Sequence, residues 1–170
     1  MPAHVRNAYA AGSYELGKIR LSSVTDDEAG LLGAGLASID PWRRMGYAPE
    51  ALSDYLRRPD PAAYRYAIRT NGQLAGVISI RNPWLRGPYL ELLGLFAQFH
   101  GHGIGQSTMD WFESEAPKGT GYLWVICSQF NTGALAFYKR CGFTEVADLN
   151  DLVFQGFTEI LLRKPLQTPD

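Results

Sequence analysis

The stretch that decides the fold is His100-Gly101-His102-Gly103-Ile104-Gly105. It follows an apolar run, Leu90-Glu91-Leu92-Leu93-Gly94-Leu95-Phe96-Ala97, that reads as a strand, and it opens a helix-like run over 104–115. Glycines at three alternate positions between a strand and a helix let the backbone approach a ligand with its amide N–H groups pointing outward. The helix N-terminus behind them adds a partial positive charge. Together these features form a cradle for an anion, most naturally a phosphate. The spacing excludes two familiar phosphate loops. A Walker loop needs Gly-Lys-Ser/Thr, whereas Gln106 follows Gly105. A dinucleotide fingerprint needs G-x-G-x-x-G, and counted from Gly101 its third glycine slot holds Gln106. The plain alternative is a glycine-rich turn between core elements.

Working outward, the neighbouring segments read as alternating strands and helices. Upstream, 64–70 and 73–80 are strand runs around Asn71-Gly72, a strong hairpin signal. Before them, Thr25-Asp26-Asp27-Glu28 has the form of a capping box opening a helix that runs to about Ser38. Asp40-Pro41-Trp42 breaks that helix, and Pro49-Glu50 begins the next, which ends before Pro59. A short strand, 18–21, precedes the first helix. Downstream, 122–127 is an apolar strand buried on both faces. A last helix over 134–140 stops at Gly142, and strands over 143–147 and 157–162 close the sheet. The order β-α-α-β-β-β-α-β-α-β-β predicts an α+β domain with a mixed, mostly antiparallel central sheet and helices on both faces. Residues 1–16 are small and polar without periodicity, and they read as a loose N-terminal arm before a single domain over 17–166.

Composition narrows the classes. With 170 residues the chain is one domain by size, and 46% hydrophobic and 19% charged residues suit a globular protein with a substantial core. A formal net charge of −1 gives no basis for a nucleic-acid partner. No apolar run approaches the ~18 residues that span a bilayer, so no membrane partner is expected. The N-terminal Met1-Pro2-Ala3-His4-Val5-Arg6-Asn7 lacks the apolar core of a signal peptide. Cys127 and Cys141 are too few for a disulfide framework and match no metal spacing. The expectation is a cytoplasmic protein with buried thiols and no metal.

A second segment turns the phosphate cradle into a specific reading. It is Asn131-Thr132-Gly133-Ala134-Leu135-Ala136-Phe137-Tyr138-Lys139-Arg140-Cys141-Gly142-Phe143. It resembles the Asn-x-x-Ala-x-x-x-Tyr-x-x-x-Gly-Phe segment of the GCN5-related N-acetyltransferases. The glycine loop resembles the Gln/Arg-x-x-Gly-x-Gly/Ala pyrophosphate loop of the same family, with His100 standing where Gln or Arg is usual. The order of elements matches from about Lys18 to Arg163. The resemblance implies the acyl-CoA N-acyltransferase fold. It also implies transfer of an acetyl group from acetyl-CoA to a primary amine, in a small molecule or a peptide, by direct attack in a ternary complex.

The same resemblance assigns roles. Leu95, Phe96 and Ala97 would offer backbone groups to the pantetheine arm where this strand splays from its neighbour. Gly101, His102, Gly103, Ile104, Gly105 and Gln106 would hold the pyrophosphate with His100, which adds positive charge only when protonated. Tyr138 would give a proton to the leaving thiolate, a role a phenol of pKa ~10 can fill. Asn131 would bond the pantetheine chain, although Asn is also a common helix cap. Glu91 is the expected general base. A carboxylate of pKa ~4.3 is a weak base unless burial raises it, and Glu91 lies in an otherwise apolar run where an unpaired charge is costly. Positioning alone, without a base, is the other option. Trp42, Trp84 and Tyr89 are candidate walls of the acceptor cleft, or loop anchors, and Arg43 or Arg86 would grip a carboxylate. The His100 departure and the open identity of the base keep a second reading in play: a non-catalytic acyl-CoA-binding sensor or interaction module. A homodimer through the last strands is left open by the sequence.

Overall fold

The computed structural model describes residues 7–166. Its sheet has eight strands: β1 (Ser13–Leu16), β2 (Ile19–Ser23), β3 (Ala63–Thr70), β4 (Gln73–Arg81), β5 (Tyr89–Leu95), β6 (Tyr122–Ser128), β7 (Thr144–Asn150) and β8 (Thr158–Pro165). Their spatial order is β1-β2-β3-β4-β5-β6-β8-β7, and only the β5–β6 pair is parallel. Helices α1 (Asp26–Ala37), α2 (Trp42–Met45) and α3 (Pro49–Arg57) belong to one face. Helices α4 (Ile104–Ser114) and α5 (Thr132–Arg140) belong to the other. This is the expected mixed α+β architecture.

Local chemistry explains the elements. The α1 start is a complete capping box: Glu28 N–H donates to Thr25 Oγ1 at 3.2 Å and Thr25 N–H to Glu28 Oε2 at 3.0 Å. Ala29, Leu32, Gly33 and Leu36 then recur at helical spacing and are all buried. They pack with Leu52 and Leu56 of α3 and with Ala67, Val77 and Leu92 of the sheet into one core. The second core lies across the sheet. There Met109 and Phe112 of α4 and Leu135 and Tyr138 of α5 meet Ile68, Ile78, Leu90, Leu123, Val125 and Ile160. The β3–β4 turn has Asn71 at φ 48° and Gly72 at φ 76°, the two left-handed residues that a tight type I′ hairpin requires.

One boundary differs from the sequence expectation. Residues 1–6 lie outside the described part, but the rest of the expected loose arm is built into the domain. Ser13–Leu16 is a strand paired with β2, and Tyr9 is fully buried with its hydroxyl donating to Phe112 O at 2.7 Å. The ring of Tyr9 packs against Trp111 and Phe112 on α4. A four-residue edge strand has too few positions for alternation to register, and a lone aromatic among small residues carries no period. The short α2 helix, where the sequence pointed only to a break, is a second addition.

Two irregularities of β5 make room for a site. Ser79 pairs with Leu92 and Ile80 with Leu90, so Glu91 is the extra residue of a β-bulge. On its other side β5 keeps register with β6 only at Tyr89–Trp124 and Leu90–Val125. Beyond those pairs the two strands part. Among the described residues no helix is long and apolar enough to cross a membrane.

Candidate active site

The parted strands open a cleft of ≈ 860 Å³. It passes from the α4–α5 side, where Ile104, Gly105, Ala134 and Tyr138 line it, to the α2 side, where Pro41, Trp42, Met45 and Tyr47 do.

At the first end lies the glycine loop. A single 3₁₀ turn, Ala97–Phe99, leads from β5 into it. Gly101 (φ 75°) and Gly103 (φ 76°) are left-handed, and a Cβ at either would meet no atom within 4 Å. Glycine is needed there for its backbone angle and the open approach it leaves, and not to avoid a neighbour. Gly103 is the N-cap of α4 and supplies no side-chain acceptor. The first amides of α4 therefore face the cleft uncapped, at the positive end of the helix dipole. Those features fit a bound pyrophosphate. Gly101, Gly103, Ile104, Gly105 and Gln106 all line the cleft, as the sequence suggested, whereas His102 does not.

His100 lines the cleft too, but its role is partly internal. Its Nε2 lies 2.8 Å from Leu95 O, so this nitrogen donates to the end of β5. Leu95 lines the cleft, whereas Phe96 and Ala97 do not. The Phe96 N–H donates to Ala75 O at 2.9 Å, and the Phe96 ring packs against the α1–α3 core, beside Gly35. Ala97 O accepts from His100 N–H at 3.2 Å. Of the three backbone positions expected to greet pantetheine, only Leu95 faces the gap. The Phe96 amide is taken by Ala75 of β4, and Ala97 lies in the 3₁₀ turn.

Asn131 does both things the sequence allowed. Its Oδ1 caps α5 by accepting from Ala134 N–H at 3.3 Å, and the residue borders the cleft. Tyr138 is buried on the same helix and lines the cleft. Burial, with Cys127, Cys141 and Tyr89 nearby, holds its phenol well above the ordinary range, so it is protonated at any working pH. Trp42 and Tyr89 line the cleft, while Trp84 stacks on Tyr89 at 4.7 Å and anchors the loop before β5. Arg43 is exposed and pairs with Asp40 at 3.1 Å, and neither it nor Arg86 lines the cleft.

Glu91 borders the cleft but is not the unpaired carboxylate expected from its apolar run. Arg81 donates to it twice, from Nε at 2.6 Å and Nη2 at 3.3 Å, and also to Asp60 at 2.9 Å. These hydrogen bonds hold the Arg81 guanidinium above its ordinary range. The guanidinium occupies both carboxylate oxygens, so Glu91 borders the cleft as half of an ion pair. Arg81 sits on the neighbouring strand, ten residues away, and no spacing rule joins the two.

A different acid shares the cleft and was not singled out from sequence. Glu159 of β8 is buried and lines the cleft, and both its oxygens accept from Ser128 Oγ, at 3.1 and 3.0 Å. Burial pushes its carboxyl up, with the Ser128 hydroxyl pulling the other way. Met45, Tyr47, Cys127 and Val153 are among the other lining residues that sequence reading missed. The available signal was a lone acid in an apolar strand, the same argument that had selected Glu91.

Comparison with known proteins assigns the class. The chain belongs to the Acetyltransferase (GNAT) family, whose pattern it matches over residues 26–143, more than half its length. No curated protein sequence matches it significantly. Among solved structures, an acetyltransferase from Thermus thermophilus is 20% identical with a TM-score of 0.72, over 90% of this chain and 100% of that one. The microcin C7 self-immunity acetyltransferase MccE, in complex with acetyl-CoA and AMP, is 17% identical with a TM-score of 0.73, over 94% and 99%. Arabidopsis thaliana Naa50, bound to the bisubstrate analogue CoA-Ac-MVNAL, is 20% identical with a TM-score of 0.66, over 88% and 99%. These likenesses establish the acyl-CoA N-acyltransferase fold.

Proposed function

We propose that the protein is an N-acetyltransferase that moves the acetyl group of acetyl-CoA onto a primary amine of a small molecule or peptide by direct attack. One observation carries the reading: the uncapped N-terminus of α4 and the Tyr138 phenol open onto a single cleft between parted parallel strands. The amides behind Gly101 and Gly103 bind the pyrophosphate of the coenzyme. Leu95 and Asn131 border the pantetheine arm. Tyr138, buried on α5, donates to the sulfur as negative charge develops there. MccE with its acetyl-CoA and Naa50 with its peptide-linked analogue share this scaffold and support both halves of the proposal. The two free, buried thiols support a reducing compartment, the cytoplasm.

The first test is calorimetric titration with acetyl-CoA, with NADH and ATP as controls. Saturable micromolar binding of acetyl-CoA alone is expected, and absence of binding across a series from about pH 5 to 8 overturns the reading. Thiol release in the presence of an amine panel then separates the enzyme from a non-catalytic acyl-CoA sensor. The sensor reading predicts binding without acceptor-dependent thiol release.

A further inference from the structure

We propose that Glu159 is the residue that receives the acceptor amine, binding its ammonium and taking its proton. The proposal rests on the acetyltransferase reading above and names the acceptor end of that site. Four observations carry it. Glu159 is only 4% exposed, and no Arg or Lys pairs with it among the described residues. Its only hydrogen-bond donor there is the neutral hydroxyl of Ser128, at 3.1 and 3.0 Å. A buried carboxylate in this state lacks a cation, and the substrate's ammonium is the cation that the chemistry brings. It also lines the same cleft as Tyr138, so a bound amine shares a chamber with the proton donor. Glu91, by contrast, has its cation already, in Arg81.

The surroundings specify the acceptor further. The groups facing Glu159 are Ser128 and Cys127 of β6, Tyr89 of β5 and Tyr47 of the α2–α3 connection. Burial first, and the charge of Glu159 with it, raises the pKa of Tyr47 and Cys127, and at Tyr89 Glu159 adds to burial, Glu91 and Tyr55. The β7–β8 loop brings two apolar side chains to this end of the cleft: Val153 lines it, and Phe154 packs edge-on against Tyr47 at 5.3 Å while remaining 41% exposed. A carboxylate floor under an apolar rim fits a primary ammonium carried on an apolar group.

The step balances. Glu159 takes one proton from the ammonium. The freed lone pair forms the C–N bond at the thioester carbonyl, and the C–S bond breaks. Tyr138 gives its proton to the departing sulfur and recovers one from the nitrogen. Glu159 returns its proton to solvent. The products are an amide, a thiol and one proton.

The test measures binding of phenethylammonium and of its neutral analogue 2-phenylethanol by ligand-observed NMR near neutral pH. Wild type should prefer the ammonium on the order of tenfold, and Glu159→Gln should remove that preference while leaving the alcohol unchanged. No preference in wild type, no binding of either probe, or a preference that survives in Glu159→Gln overturns the proposal. If Glu159→Gln does not fold, Ser128→Ala replaces it. That change keeps the carboxylate but removes its donor, so the pH midpoint of the preference should rise, and an unmoved midpoint overturns the proposal. Acetyl-CoA calorimetry on the same samples separates the two claims. Loss of coenzyme binding with the preference intact sinks the acetyltransferase reading, and the reverse sinks Glu159 alone.

Discussion

Tyr138 and Cys127 show how burial sets chemistry one side chain at a time. The phenol of Tyr138 keeps its proton at every working pH, because the interior disfavours the phenolate. Its donation matters only as thiolate charge appears, so the effect falls on the rate and not on coenzyme binding. Tyr138→Phe should lower acceptor-dependent thiol release by about 10²–10⁴-fold with acetyl-CoA affinity unchanged. A rate within a few-fold of wild type would end the proton-donor role. Cys127 makes the complementary case. Burial, aided by the Glu159 charge, pushes its thiol up to about 12. The reactive thiolate is therefore scarce at about pH 8, although the residue borders the cleft. Iodoacetamide at that pH, read by mass spectrometry, should leave Cys127 unmodified in the folded protein and alkylate it in guanidinium. At this scale the sequence was legible wherever function is local in the chain. The glycine loop, Asn131 and Tyr138 sit in contiguous segments with fixed spacing, and all border the cleft. The two carboxylates were not legible in the same way. What separates Glu91 from Glu159 is a cation across a strand pair, and Arg81 is placed by sheet register that no one-dimensional pattern encodes.

The α1–α3 pair shows the same division between local signal and tertiary contact. The capping box was plain in Thr25-Asp26-Asp27-Glu28, and both its hydrogen bonds form. Glu28 also accepts from Arg69 of β3 at 2.6 Å, a partner that spacing does not reveal. Burial raises the Glu28 carboxyl, but Arg69 and Thr25 outweigh that and leave it below its ordinary 4.5. A group depressed in the folded state stabilises above its unfolded value and loses that contribution as pH falls. Thermal midpoints should therefore drop as pH falls below about 4.5, and Glu28→Gln should flatten the part of that drop due to this residue. Thr25→Ala should cost about 1 kcal/mol by denaturant titration, with the slope unchanged. Gly33 sits where α1 crosses α3. A Cβ there would lie 2.7 Å from Pro49 O and 2.8 Å from Ser53 N, both backbone atoms that cannot swing away. Gly33→Ala should destabilise by about 1–3 kcal/mol despite the better helix propensity of Ala, and a stabilised variant would refute the close crossing. Hairpin and helix starts were readable because single residues enforce them. β1 and the buried Tyr9 were not, because only β2 and α4 give them a reason to order.

Across the whole molecule, the sheet is continuous except where β5 and β6 part. β1 to β5 carry α1 and α3 on one face and meet α4 on the other, while α5 packs on that second face with β6 and β8. The two halves share only two registered residue pairs in the sheet, Tyr89–Trp124 and Leu90–Val125. A ligand seated in the gap would touch β5, the α4 N-terminus and α5 together, and so would bridge both halves. Such a ligand binds the folded chain and has no site on the unfolded one, because the loop, the strand edge and Tyr138 converge only after folding. Acetyl-CoA at about a hundred times its Kd should therefore add about 2.7 kcal/mol to stability. For a chain of this size that is a rise in Tm on the order of 5–10 °C. The rise should grow with the logarithm of coenzyme concentration and be absent with NADH. Gly103→Val should reduce it, since a β-branched residue resists the left-handed backbone that aims the α4 amides at the gap. A Tm indifferent to acetyl-CoA would mean that the parted strands are not a coenzyme site, whatever the family.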